Sequence, residues 1–230
     1  MIRKQLQRKP QTAPMLMLLR RNASSIPTVM PLRKSPEQAT QEIFDILQRR
    51  GQEEYLGEPV SQIEHACQTA QMAEAEGYEE EVVIAAFLHD IGHLCALPNE
   101  DEMPGLGILR HEQVGAAYLR KLGFSEKISR LVEGHVQAKR YLTFKNQQYF
   151  EKLSDASRQT LAWQGGRMNA EEAEAFESNF LFELMIKMRL WDEAAKAVNQ
   201  LLPDLEKYRT MCLRHLFKNM GSGMVRSEAA

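Results

Sequence analysis

The residues with the most chemistry to offer are concentrated in one stretch. Five of the six histidines, His65, His89, His93, His111 and His135, fall between Ser61 and Lys139, and its centre reads Leu88-His89-Asp90-Ile91-Gly92-His93. Imidazoles and carboxylates gathered in apolar surroundings are a metal-binding set. The adjacent His89-Asp90 pair says more. Neighbouring positions on a helix point about 100° apart, so one cation is poorly served by both side chains. Two cations are served well, because a carboxylate can bridge two metals while the histidine beside it binds one. Closing such a cage takes more imidazoles and another carboxylate from other helices, since O/N ligation of divalent metals usually uses about six donors, some of them water or substrate. His65, His111 and His135 are the imidazole supply, and Asp192 is the further carboxylate.

The hydrophobic spacing supplies helices to bring these side chains together. Ser35-Pro36-Glu37 opens a helix with Ala39, Ile43, Phe44 and Leu47 on one face, closed by Gly51. Residues 52–60, with Tyr55, Gly57, Glu58 and Pro59, form a loop placed to cover a site. Ser61-Gln62-Ile63-Glu64 is a capping box, so His65 lies in the first turns of a helix reaching Gly77. From about Glu79 the run Val82, Val83, Ala85, Ala86, Phe87, Leu88 is apolar nearly all round, which buries His89 and Asp90 and sets His93 on the His89 face four residues later. Leu94 to Leu109, rich in proline and glycine, reads as a surface loop. A helix from near Arg110 carries His111 to Gly123. Another runs from Ser125 through Ile128, Leu131 and Val132 to His135, with Lys139 on the same face. Short helices follow over Ser154 to Trp163 and from Asn169. The amphipathic stretch Phe180 to Trp191 sets Arg189 and Asp192 on one face at i, i+3. A last helix spans about Ala194 to Phe217 with a break at Pro203, and residues 221–230 form a small-residue tail that frays. With no β-type alternation, internal repeat or low-complexity block, the fold class is all-α.

Composition bounds the alternatives. A chain of 230 residues with 43% apolar content can build one domain with a full core, expected over residues 37–220. No apolar run approaches the roughly 20 residues needed to cross a bilayer. Cys67, Cys95 and Cys212 are scattered, with no CxxC spacing, against both a disulfide scaffold and thiolate zinc and in keeping with a reducing compartment. Residues 1–36 hold Arg3, Lys4, Arg8, Lys9, Arg20 and Arg21 with Ser24 and Ser25 and no acid, so the formal net of −2 conceals an acidic body. That extension reads as an organelle transit peptide, which places the protein in a mitochondrial or other organelle matrix. Otherwise it is a disordered basic arm, or an upstream start with Met15 as the true one, and the protein is cytoplasmic. The acidic body gives no support for nucleic-acid binding.

With His65, His89-Asp90, His111, His135 and Asp192 in hand, the chain resembles the HD-domain superfamily, whose name comes from the adjacent His-Asp. Most of its members are phosphohydrolases. The additional His111 and His135 look like the small branch of mixed-valent di-iron oxygenases, and within it the chain is similar, over about Gly51 to Asp192, to the glycine-forming 2-amino-1-hydroxyethylphosphonate dioxygenases. The similarity extends to Tyr55, Glu58, His93, Gln137, Lys139, Ser157 and Arg189. It implies an HD-domain helical bundle with a dinuclear metal site in its core. It also implies two iron ions as a mixed-valent Fe(II)/Fe(III) pair, with O2 as co-substrate. His65, His89, Asp90 and Asp192 would hold one iron, and Asp90, His111 and His135 the other, left open for substrate and oxygen. The basic N-terminal extension departs from the bacterial members.

The same resemblance assigns roles around the metals. A phosphonate dianion needs cations and hydrogen-bond donors, and His93, Lys139, Gln137 and Ser157 fit that description. Arg189 would fix Asp192, Glu58 would pair with the substrate ammonium, and Tyr55 would occupy the open iron position until substrate arrives. Each has a bland counterpart: a satisfied core histidine, a surface lysine, a locally bonded serine, a solvated acid. The substrate's hydroxyl and a phosphonate oxygen would chelate the open iron, and C–P cleavage would give glycine and phosphate, or betaine from a trimethylammonium relative. For that relative Tyr55, Tyr141, Phe144 and Trp163 could supply aromatic faces. An HD-type phosphohydrolase acting on a nucleotide or other phosphate ester would use much the same residues, and a scaffold that keeps the cage for stability is a third alternative. Oxygen dependence separates them.

Overall fold

Ser35 and Ser61 begin the two helices that frame the loop ahead of the site, and both do so with reciprocal capping boxes. In the computed structural model, which describes residues 34–55, 57–97 and 100–227, α1 (Pro36–Arg50) starts with the Ser35 side chain accepting from the Gln38 N–H. Ser61 does the same for Glu64 at the head of α2 (Gln62–Ala75), and the Glu64 carboxylate returns to the Ser61 N–H at 2.7 Å. The basic extension, residues 1–33, lies outside the described residues.

The central layer is α3 (Glu80–Leu88), whose residues from Val82 to Leu88 are all buried, as a helix apolar on every side must be. It packs against α2, against α6 (Glu126–Lys145) and against the final helix α11 (Leu205–Ser227). Phe87 stacks on Tyr208 of α11 with centroids 4.5 Å apart and faces Phe44 of α1 at 6.0 Å. Between α3 and α6 come α4 (Ile91–Cys95) and α5 (His111–Leu122). After α6 the chain forms α7 (Gln147–Lys152), α8 (Asp155–Trp163), α9 (Ala170–Glu177) and α10 (Phe182–Ala194). Helix follows helix, as the sequence indicated. Among the described residues no helix is long and apolar enough to cross a membrane.

Four expectations are corrected. The helix through His89 does not continue. It stops at Leu88, and Asp90, at φ −102° and ψ 10°, begins α4, so His89 and Asp90 sit in a break and His93 belongs to a separate helix. The stretch Leu94 to Leu109 is not merely a surface loop. It holds an antiparallel pair, β1 (Glu102–Met103) and β2 (Gly107–Ile108), turned through Gly105 and Gly107 at positive φ, with Met103, Leu106 and Ile108 buried. Two-residue strands are too short to show alternation. Helical structure also persists past Lys139, through α6 to Lys145 and then α7. Finally, α11 begins at Leu205 rather than Ala194: Pro203 lies in a non-helical link, with Asn199 at φ 59°. The same helix carries into the stretch read as a tail, ending at Ser227.

Candidate metal centre and substrate pocket

The six proposed ligands come from five separate places in the chain and meet. His65 lies in the first turns of α2, His89 and Asp90 in the α3–α4 break, His111 at the first position of α5, His135 midway along α6 and Asp192 near the end of α10. All six are buried. The two carboxylate oxygens of Asp90 divide them. Asp90 Oδ2 lies 3.3 Å from His89 Nε2 and 3.6 Å from His65 Nε2, and His65 Nε2 is 3.4 Å from Asp192 Oδ1. Asp90 Oδ1 lies 3.2 Å from His111 Nε2 and 3.5 Å from His135 Nε2. The result is two clusters sharing one carboxylate.

Hydrogen bonding decides what these nitrogens can do. Each of the four rings points Nδ1 at a backbone carbonyl: His65 at Ala195 (2.9 Å), His89 at Ala86 (2.8 Å), His111 at Ile108 (3.2 Å) and His135 at Val132 (2.7 Å). A carbonyl only accepts, so Nδ1 carries a proton, and each ring, when neutral, presents a lone pair at Nε2. Those lone pairs face one another, His65 to His89 at 3.1 Å and His111 to His135 at 3.0 Å, and Asp90 Oδ1 is buried with no hydrogen-bond donor. Opposed lone pairs around a buried carboxylate are repulsive unless a proton or a metal ion lies among them. The donor set therefore fits two metal ions, and its imidazole and carboxylate ligation accepts iron among other first-row metals. The titration of the groups reflects the same crowding. Burial pulls the imidazole of His135 down to about 3, whereas Asp90 overcomes burial at His89 and raises it to about 9, so His89 Nε2 carries a proton that a metal there would displace. Against burial, His89 holds Asp90 well below the carboxylate range, and Arg189 does so for Asp192.

His93 reaches the same place by another route and with the opposite tautomer. Its ring stacks on His111 at 4.0 Å, and Nδ1 accepts the Ile108 N–H at 3.1 Å, so the neutral ring carries its proton at Nε2. Burial and the neighbouring His111 keep it neutral, its pKa well below the ordinary value. With Asp90 and His111 it could complete a metal-sized cluster, but its hydrogen-bonding pattern makes it a donor beside the metals.

A pocket with about 40 Å³ of free space opens over the His111/His135 side. Tyr55, Glu58, His93, Lys139, Ser157 and Arg189 line it together with Asp90, His111, His135 and Asp192. The Tyr55 ring lies on His65 at 3.8 Å with its hydroxyl 3.4 Å from Asp192 Oδ1. Lys139 is buried with Nζ 2.9 Å from Thr160 Oγ1, and burial, helped by Arg189, brings its ammonium down to about 7. Arg189, also buried, donates to Asp192 and Glu193 and to the Tyr149 hydroxyl at 2.9 Å, and it holds Ser157 Oγ at 3.3 Å.

Gln137 is not brought into this pocket. Two residues after His135, it points to another face of α6, where it accepts from Arg140 at 3.0 Å. The amide that does line the pocket is Gln164, whose buried Oε1 has no partner. Ser157 and Thr160 in α8 and Gln164 at its C-cap lie at i, i+3 and i+7 along one side, a spacing that could have revealed the last two. Lys196 and its ion pairs with Glu58 and Glu193 carried no such signal, because they depend on where α10 ends. Tyr141, Phe144 and Trp163 do not line the pocket, and Tyr141 bonds Glu177 instead.

The comparisons with known proteins meet this geometry. The family model for the HD domain matches residues 63–175. The [1-hydroxy-2-(trimethylamino)ethyl]phosphonate dioxygenase (glycine-betaine-forming) of Leisingera caerulea is 42% identical over 180 residues, covering 78% of this chain and 91% of the relative. The chain belongs to the HD-domain dioxygenase family. A second relative of this HD-domain dioxygenase, the hydroxymethylphosphonate dioxygenase of Gimesia maris, is 36% identical over 195 residues, or 83% of this chain and 96% of the other. An uncharacterized protein of Acanthamoeba polyphaga mimivirus is 39% identical over 175 residues, 76% of this chain and 80% of that one.

Proposed function

We propose that this chain cleaves the C–P bond of 2-amino-1-hydroxyethylphosphonate with O2, giving glycine, phosphate and a proton. One observation carries the reading: a carboxylate shared by two imidazole clusters, one of which opens on a pocket lined by buried cations and hydroxyls. Both named relatives act on phosphonates that carry a hydroxyl on the carbon bonded to phosphorus, which supports the same reacting unit here. His65, His89, Asp90 and Asp192 would hold one iron, and Asp90, His111 and His135 the other. As a mixed-valent pair, the irons would supply the redox chemistry with O2 and the polarisation of the substrate hydroxyl.

The chain's own residues bind and orient. The His93 Nε2–H and the Lys139 ammonium receive the phosphonate oxygens, while the Thr160 and Ser157 hydroxyls, which donate to the Ser157 carbonyl and to Glu193, accept from Lys139 and Arg189 and hold those cations in place. Arg189 fixes Asp192 from behind. Tyr55, stacked on His65 with its hydroxyl beside Asp192, covers that side of the cluster and, with Met103 and Leu106 lining the pocket, limits water. Glu58 accepts the ammonium. The primary amine is preferred to its trimethylated relative because Tyr55 alone among the lining residues is a tyrosine, phenylalanine or tryptophan, whereas a quaternary ammonium calls for several aromatic faces.

Metal analysis and EPR of aerobically purified protein, followed by phosphate release from the amino, trimethylamino and hydroxymethyl substrates, test the proposal. Two irons per chain, a mixed-valent signal and fastest release from the amino compound are expected. Turnover of nucleotides or other phosphate esters in its place would overturn it.

A further inference from the structure

Lys196 lies outside every helix, yet its backbone is held on both sides. The preceding Ala195 carbonyl accepts from His65 Nδ1 at 2.9 Å, and Ala197 exchanges two hydrogen bonds with the Gln68 side-chain amide, each 2.9 Å. Between these pins the side chain enters the pocket. Its Nζ lies 3.0 Å from Glu58 Oε1, 3.1 Å from Glu193 Oε1 and 3.2 Å from Ser154 Oγ, three acceptors for the three N–H bonds of an ammonium. The Lys196 and Glu58 side chains are 15% and 12% exposed. Burial works against the charge on Lys196, and the carboxylates of Glu193 and Glu58 more than offset it.

Charges at this end of the pocket already balance. Glu193 is shared between Arg189 and Lys196, and the remaining acid paired with Arg189, Asp192, belongs to the metal cage. Glu58, the one carboxylate left to recognise a substrate cation, thus has a cation of its own.

We propose that Lys196 is a specificity-determining residue: an internal ammonium that competes with the substrate's ammonium for Glu58. The inference rests on the C–P cleavage reading above. A guest bearing an ammonium must displace Lys196 or share its carboxylates, whereas a guest without one leaves the pair intact. Lys196 therefore weakens ammonium-bearing guests selectively. It also keeps Glu58 from retaining a zwitterionic product, which carries the same ammonium as the substrate.

Calorimetric binding of 2-aminoethylphosphonate and ethylphosphonate to the metal-loaded full-length protein tests this. The two probes differ in the ammonium, and neither has the hydroxyl on the carbon next to phosphorus. In Lys196→Met and in Lys196→Gln, affinity for 2-aminoethylphosphonate should rise roughly tenfold, the scale of a desolvated charge pair, with ethylphosphonate unchanged. Lys196→Arg should keep the wild-type ratio, and adding Glu58→Gln to Lys196→Met should abolish the gain. Equal shifts for both probes, no shift, or a gain that survives Glu58→Gln would overturn the assignment. A wild type that binds both probes but releases no phosphate from any hydroxyphosphonate overturns the reaction and leaves the Lys196 comparison standing. A wild type that releases phosphate while the lysine variants show no discrimination overturns the Lys196 role alone, and failure of every variant to bind either probe overturns both.

Discussion

At Asp90 one carboxylate lies within reach of four imidazoles, and the account depends on its two oxygens serving different metals. Asp90→Asn keeps the shape but removes the charge and one acceptor. Metal content should fall below one per chain, and turnover should fall further than the roughly 10- to 100-fold that losing an outer hydrogen-bond partner of a ligand costs. Retention of two metals would show that Asp90 does not bridge. Lys139 gives a pH prediction. Its ammonium is displaced downward to about 7, so the charged form needed by a phosphonate is present below that value and is lost as pH rises through it. Wild-type affinity for ethylphosphonate should weaken between pH 6 and 9 more than that of Lys139→Arg, which stays charged throughout. Parallel profiles would remove Lys139 from phosphonate binding. The convergence of the six side chains was legible because imidazoles and carboxylates have few other reasons to gather among apolar residues. Gln137 was misplaced because nothing in its residue type records helical phase, although its two-residue offset from His135 does.

Elements position these groups through close approaches that glycine permits. Gly92 in α4 packs on α5 so tightly that a Cβ there would collide with the His111 carbonyl oxygen and lie 2.9 Å from the Gly115 nitrogen. Gly92→Ala must push apart the two helices carrying His93 and His111. It should destabilise the fold by about 2 kcal/mol and lower metal content selectively at the His111/His135 side. For Gly134→Ala in α6 the nearest atoms to the new Cβ all belong to the Met185 side chain, which can move, so it should retain both metals. Equal effects of the two substitutions, read by denaturant melts and metal analysis, would contradict this account of α4–α5 packing. The capping box at Ser61 and the helix start at Ser35 were legible from local sequence because a cap is a local hydrogen bond. The break at His89-Asp90 was not, since the apolar run continues through it and the chain turns there only in response to tertiary packing.

Over the whole molecule, α11 closes the bundle behind α3, on the side away from the chemistry: Tyr208, Cys212 and Leu216 are buried, and Tyr208 stacks on Phe87. Tyr208→Ala should cost about 3–5 kcal/mol in urea denaturation while leaving activity per folded molecule unchanged. A loss of turnover without a loss of stability would place α11 in the site. The all-helical class was visible from hydrophobic spacing, but the start of α11 and the position of Lys196 depend on how the 195–204 link is pinned to α2, a long-range contact that local sequence does not encode. The central claim joins both scales: a caged metal pair that makes C–P cleavage depend on oxygen. The direct measurement is simultaneous O2 consumption and phosphate release from 2-amino-1-hydroxyethylphosphonate. One O2 consumed per phosphate, with release halting in anaerobic buffer and resuming when air is admitted, is the predicted result; phosphate released at an undiminished rate without oxygen would contradict it.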